Sequence, residues 1–206
     1  MLKHKIKIWM FNKQWRKKNK DNFTTANSTF SIRNVTVGKK TYGPLNIKWY
    51  PSATDAKLLI GSYCSIAEKV QFIMGGEHDY KRLSTWPFQS KVYHQQGKQA
   101  IDRDIYIEDD VWIGYDTLIL SGAHIGQGSV IAARSVVSGN IPPYSVYVGN
   151  KIIKYRFSEE IIEKLLKINY QAIEHEKDDE YSRYCQDHID AGNIDLIIDA
   201  FVGDKK

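Results

Sequence analysis

The clearest order in this chain is a branched aliphatic residue every six positions: Ile101, Ile107, Ile113, Ile119, Ile125, Ile131 and Val137, with Pro143 in the next place. Four positions after each comes Ile105, Val111, Thr117, Ala123, Ser129, Ser135 or Ile141, mostly small or β-branched. Neither the 3.6-residue helical period nor the strict alternation of a half-buried strand fits such spacing. A period of six is the mark of a stacked repeat, each unit one short strand and one corner. Gly114, Gly126, Ala132 and Ser138 directly follow their aliphatics, where a tight corner leaves little room for a side chain. Three units make one triangular coil, and successive coils pair as parallel strands about 4.8 Å apart. Ile, Val and the small residues then stack inward, each buried Ile or Val contributing about 1.5–3 kcal/mol.

The same register recurs at Ile60, Ile66 and Phe72, with Cys64 and Val70 at the cramped inward places, so Cys64 reads as a core filler and not a nucleophile. Upstream, Ile32, Val35, Val37-Gly38, Leu45 and Ile47 suggest irregular first coils broken by a turn at Tyr42-Gly43-Pro44. Between the two blocks the repeat stops over residues 73–100. A long excursion from a solenoid is a usual seat of function. After the repeat, Ser158 is placed to N-cap a helix carrying Ile161, Ile162, Leu165, Leu166 and Ile168, which would cover the open end of the coils. A second helix is expected over about 178–200, packing through Tyr181, Tyr184, Ile189, Leu196, Ile197 and Phe201. The expected division is a basic N-terminal segment (1–22), a β-helix with its excursion loop (23–157) and a C-terminal helical segment (158–206).

Composition changes this picture little. The 206 residues, 42% apolar and 26% charged, suit a folded protein with one main core. Two distant cysteines argue against a disulfide framework or a zinc site. No apolar run reaches transmembrane length and no secretory signal is evident, so a cytoplasmic protein is expected. Charge is more informative. Residues 1–20 carry Lys3, Lys5, Lys7, Lys13, Arg16, Lys17, Lys18 and Lys20 without one acidic residue, interleaved with Ile6, Trp9, Met10 and Trp15. Two readings stay open: a basic amphipathic helix resting at the periphery of an anionic membrane, or an arm of solvated lysines. No nucleic-acid module accompanies the charge, and no nucleic-acid partner is expected.

The segments IGSYCSIAEKVQFIMGGEH (60–78), STWPF (84–88), VWIGYDTLILSGAHIGQGSVIAARSVV (111–137) and IKYRF (153–157) resemble the hexapeptide-repeat acyltransferases. Within these, they resemble the xenobiotic acetyltransferase branch that includes type B chloramphenicol and streptogramin acetyltransferases. The resemblance covers roughly residues 32–170. It implies a mainly β fold, a left-handed parallel β-helix with an excursion loop and C-terminal α-helices. It further implies a homotrimer, acetyl-CoA taken up between subunits, and no metal. His78 falls on the position of the general base. Backbone groups around Gly114, Ala132 and Ala133 would meet the pantetheine arm, and Ser138, Lys154 and Arg156 the adenine and phosphate end. Trp112 either lines the acetyl pocket or shields a corner, and Tyr80 and Trp86 are placed on the acceptor side. The chain departs from the branch where Gly149-Asn150 runs directly into Lys151, where Gly139-Asn140 replaces a charged pair, and where Tyr170 alone remains of an aromatic cluster.

The chemistry suits histidine. Attack of a hydroxyl on a thioester requires a base for the departing proton, and imidazole is the side chain whose ordinary titration lies nearest neutrality. Glu77 or Asp79 could orient the ring or stand as solvated loop charges. His94 is the rival base in the same loop. His124 should point outward, and His4, His175 and His188 should be exposed. The expected activity is O-acetylation of a sugar hydroxyl. The alternatives are antibiotic inactivation, for which a larger apolar cavity would speak, and a non-catalytic trimeric scaffold. A zinc carbonic anhydrase on this architecture would need more histidines in the coils than His124.

Overall fold

The computed structural model describes residues 2–50, 55–94, 103–173 and 184–202. Among them the chain winds through three parallel sheets, each strand pairing with the one three later along the repeat. The first sheet stacks β2 (Val35–Val37), β4 (Leu58–Ile60), β7 (Ile105–Ile107), β10 (His124–Ile125) and β13 (Asn140–Ile141). The second holds β1 (Phe23–Ala26), the start of β3 (Tyr42–Trp49), β5 (Ser65–Ile66), β8 (Trp112–Ile113), β11 (Val130–Ile131) and β14 (Ser145–Val148). To its edge the antiparallel β15 (Lys151–Tyr155) is added. The third joins the rest of β3 to β6 (Gln71–Met74), β9 (Leu118–Ile119) and β12 (Val136–Val137). Trp112 lies opposite Val130, three hexapeptides on, as the six-residue period requires.

The inward register holds residue by residue. Ile113, Ile119, Ile125, Ile131 and Val137 are fully buried, as are Ala123 and Ser129, and Thr117 and Ser135 are nearly so. Their polar atoms are satisfied by the backbone: the Thr117 hydroxyl donates to Gly114 O at 2.8 Å and the Ser135 hydroxyl to Ala132 O at 2.7 Å. The coils meet so closely that a Cβ at Gly114 would stand 2.5 Å from the Ala133 nitrogen, and one at Gly126 2.5 Å from that of Pro143. Cys64 is buried, its Sγ 3.1 Å from Glu108 O, and burial pushes the thiol up to about 12. It is a core side chain, as its register implies.

Several expectations are corrected. Pro143 does not take the next aliphatic place: Ile125 pairs with Ile141, sixteen positions on, because the corner at Ser138-Gly139 is two residues shorter than its predecessors. Tyr42-Gly43-Pro44 is not a turn but part of β3, where a Cβ on Gly43 would run into the Ile66 carbonyl. Ile73 and Met74 belong to β6, so the excursion starts two residues later than expected, and Ile101 lies outside the described residues.

The helices are also placed differently. Helix α3 (Glu159–Leu165) follows Ser158, which has the extended backbone of an N-cap but makes no side-chain capping bond. The segment does not cover the end of the stack. It runs along the corners between the first and second sheets: Gln127 Nε2 donates to Leu165 O, Tyr170 packs on Tyr63, and Lys39 reaches Ile173 O. Helix α4 (Ile194–Val202) is shorter than the expected 178–200, residues 185–193 being turn and loop; it packs Ile194 against that segment and buries Ile197, whereas Leu196, an expected packing residue, is exposed, and Tyr181 lies outside the described residues. At one end of the stack, helix α1 (Leu2–Lys18) is docked on the first coil, with Trp15 fully buried and Phe11 edge-on to Phe30. No helix among the described residues is long and apolar enough to cross a membrane.

Candidate active site

The third sheet delivers the chain into the excursion. Beyond Met74, Gly75 and Gly76 both take positive φ (74° and 87°). A Cβ at Gly76 would stand 2.8 Å from the Tyr50 ring, so the reversal passes directly over that aromatic. The turn throws His78 outward, and its imidazole is exposed.

The orientation of this ring is set by the backbone. His78 Nδ1 lies 2.6 Å from the carbonyl oxygen of Thr85. A carbonyl only accepts, so Nδ1 must carry the proton, and the neutral ring presents its lone pair at Nε2. The flanking carboxylates are engaged elsewhere. Glu77 pairs with Arg103, on the returning limb of the excursion. Asp79 accepts from Lys81 N at 3.0 Å and Arg82 Nε at 3.2 Å. The Lys81 amide foremost, with Arg82, holds the Asp79 carboxyl below its ordinary range. Of the two roles open for these residues, ring orientation falls to neither. It falls to Thr85, whose side chain offers no clue because the acting group is a main-chain carbonyl.

That bond also brings Thr85-Trp86 beside His78. Trp86 stacks edge-on against Phe88 at 4.7 Å, at the start of the single-turn helix α2 (Phe88–Lys91). Tyr80, Leu83 and Tyr93 stand mostly out of contact, Leu83 fully exposed. His94, the rival base, has a φ of 50° and is exposed. His124 points outward as expected, bonded to Glu108 at 2.7 Å and packed near Tyr106. His4 and His188 are exposed, and His175 lies outside the described residues.

The residues expected to meet the acyl donor lie on other edges of the molecule. Trp112 is outward on β8 and 57% exposed. Gly114, Ala132 and Ala133 form corners between the second and third sheets. Gly114 N donates to Ile131 O and Ala132 N to Tyr147 O, both at 2.8 Å. Neither amide is free for a ligand. Ala133 is exposed, and no described residue accepts from its N–H. Ser138 and Lys154 are exposed. Arg156 is committed within the chain: it donates to Gly128 O at 2.6 Å, faces Asp110 at 3.5 Å, and lies over the rings of Tyr144 and Phe157. Burial raises the Asp110 carboxyl, while Arg156 and the Tyr170 hydroxyl work to lower it. No described contact joins His78 to Trp112, Gly114 or Ala133. Among the described residues no group of three His, Cys, Asp or Glu side chains could hold a metal ion.

Comparison with known proteins agrees with this architecture. The family described as bacterial transferase hexapeptide (six repeats) matches residues 104–139. A Lysinibacillus sphaericus protein named "Probable macrolide acetyltransferase" is 42% identical over 134 residues, which make up 61% of this chain and 74% of that protein. A chloramphenicol acetyltransferase of Klebsiella aerogenes is 37% identical over 131 residues, 59% of this chain and 62% of that one. Among solved structures, a maltose O-acetyltransferase from Clostridium difficile 630 aligns with a TM-score of 0.50 at 26% identity, over 66% of this chain and 67% of that one.

Proposed function

The chain belongs to the bacterial hexapeptide transferase family, and from that premise we propose that it is an O-acetyltransferase in which His78 takes the proton of the acceptor hydroxyl. The observation that carries this reading is the bond from His78 Nδ1 to the Thr85 carbonyl, which in the neutral ring puts the lone pair on Nε2 of an exposed side chain. Acetyl-CoA supplies an activated thioester. As the acceptor oxygen forms its bond to the thioester carbonyl carbon, Nε2 accepts the hydroxyl proton. The imidazolium then returns that proton to the departing CoA sulfur, so charge and protons balance. Thr85 keeps one tautomer throughout.

The excursion leaves from the third sheet toward the first, whereas the Gly114 and Ala133 corners lie between the second and third. A site using both sets needs a second copy of the chain, which supports a homotrimer with sites between subunits. The exposed Ala133, whose N–H no described residue accepts, fits the amide-bearing pantetheine arm. Family membership supports the left-handed winding.

For the acceptor, the described excursion displays Tyr80, Leu83, Trp86, Phe88 and Tyr93 to solvent. These side chains suit a hydroxyl compound with a broad apolar face, the class to which macrolides and chloramphenicol belong. A sugar hydroxyl is the second reading, favoured by the polar Gln89, Lys91 and His94 on and after α2. The test is thiol release from acetyl-CoA with a macrolide, chloramphenicol, simple sugars and oligosaccharides in parallel. Turnover with the antibiotics supports the first reading and turnover with sugars alone the second. No turnover with any acceptor sinks both.

A further inference from the structure

Helix α1 has two apolar faces, and only one is used. Ile8, Phe11 and Trp15 turn toward the first coil. The helix is pinned there by Trp15 Nε1 donating to Thr24 Oγ1 at 3.0 Å, Ala26 N donating to Asn12 Oδ1 at 2.8 Å, and Arg16 donating to Asn22 and Thr24. About half a turn away around the axis, at 100° per residue, lie Leu2, Ile6, Trp9 and Met10. These four are 73%, 48%, 60% and 61% exposed. Lysines 3, 5, 7, 13 and 17 border or interrupt that stripe, with Lys13 Nζ 4.6 Å from the centre of the Trp9 ring.

We propose that this outer face of α1 docks the protein onto an anionic phospholipid surface. Two features single out that occupant. Eight cations and no anion lie within residues 1–20, so a second copy of the same face would bring like charges together, whereas an anionic interface neutralises them. Between the lysines, the amphipathic ring of Trp9 and the apolar side chain of Met10 suit the boundary of headgroup and acyl chain while the ammonium groups stay in water. The helix is already folded and pinned to the coil, so binding costs little ordering. With α1 at one end of the stack, docking there leaves the excursion and its His78 on the flank.

The full chain is floated with vesicles of phosphatidylcholine alone and of phosphatidylcholine with phosphatidylglycerol, at low and high salt. Two variants accompany it, Trp9→Gln with Met10→Gln, and Lys3→Gln with Lys5→Gln and Lys7→Gln. The expected result is binding to the phosphatidylglycerol vesicles only, weakened by salt and lost in the apolar variant. It falls about fivefold for each lysine neutralised. Acetyl transfer in solution should be unchanged, since none of these residues contacts the described part of the excursion. Absence of binding to anionic vesicles, or binding by both variants equal to that of the unaltered chain, overturns the proposal. So does a fall in oligomeric mass of the Trp9→Gln, Met10→Gln variant without lipid, because the stripe would then belong to an interface between copies.

Discussion

Substitution of His78 tests the mechanism most directly, because geometry sets both the size of the effect and what should stay unchanged. His78→Ala removes the Nε2 base and the hydrogen bond to the Thr85 carbonyl. A positioned general base is worth about 10²–10⁴ in rate, or roughly 2.7–5.5 kcal/mol of barrier at 1.36 kcal/mol per tenfold. The ring is exposed, and the bond it loses contributes about 0.5–1.5 kcal/mol, with solvent able to replace it. Turnover should therefore collapse while the melting temperature barely moves. His78→Gln, which keeps a hydrogen-bonding side chain but no base, should fall as far as the alanine variant. Added imidazole should restore part of the rate to His78→Ala and none to the unaltered protein. The readout is thiol release at saturating acetyl-CoA and acceptor, with thermal melts of the same samples. Turnover within tenfold of the unaltered protein in either folded variant would show that His78 is not the base.

Two further predictions concern the frame that holds this site. In native protein, Ellman's reagent should titrate the exposed Cys185 quickly and Cys64 only on unfolding, since burial pushes the Cys64 thiol up from 9.0 to about 12; equal rates for both in the folded state would contradict the inward placement. A raised folded value means stability that is complete below about pH 9 and lost as pH climbs toward 12. Cys64→Ala should accordingly lessen the alkaline fall in denaturation midpoint, leaving the share due to the other burial-raised groups, the phenols of Tyr144, Tyr147 and Tyr170 and the thiol of Cys185. An identical alkaline limb would refute the assignment. Trp15→Ala, at a fully buried site, should cost about 3–5 kcal/mol in urea unfolding; a loss under about 1 kcal/mol would mean that α1 is not part of the cooperative core.

The coils were legible because their rule is local. Two residues of strand and four of corner repeat along the chain, so the identity of Ile119 or Ser129 states which way it points without knowledge of its neighbours. The excursion was legible for a related reason, a broken repeat followed by Gly-Gly, and His78 stood out in it as the candidate base that the resemblance implies. Pairing was legible where the period is strict, as in Val130 opposite Trp112, but not in the last coil. A corner two residues shorter at Ser138-Gly139 moves Ile141 opposite Ile125 while the linear count still points to Pro143. The amphipathic face of α3 announced a helix, but Gln127, Tyr63 and Lys39, far apart in sequence, determine that it lies along a corner. Likewise Trp15 as a letter does not separate a core anchor from Trp9, its exposed counterpart one and two-thirds turns away.

By itself the sequence determined the period, the inward residues and the excursion that carries His78, because each depends on side-chain chemistry at neighbouring positions. Only the tertiary structure decided that a main-chain carbonyl at Thr85 orients the His78 ring, that Glu77 and Asp79 are spent on Arg103 and Arg82, and that α1 keeps an apolar face outside. A carbonyl is common to every residue and an ion pair depends on how a loop closes, so neither leaves a mark that one-dimensional spacing can show.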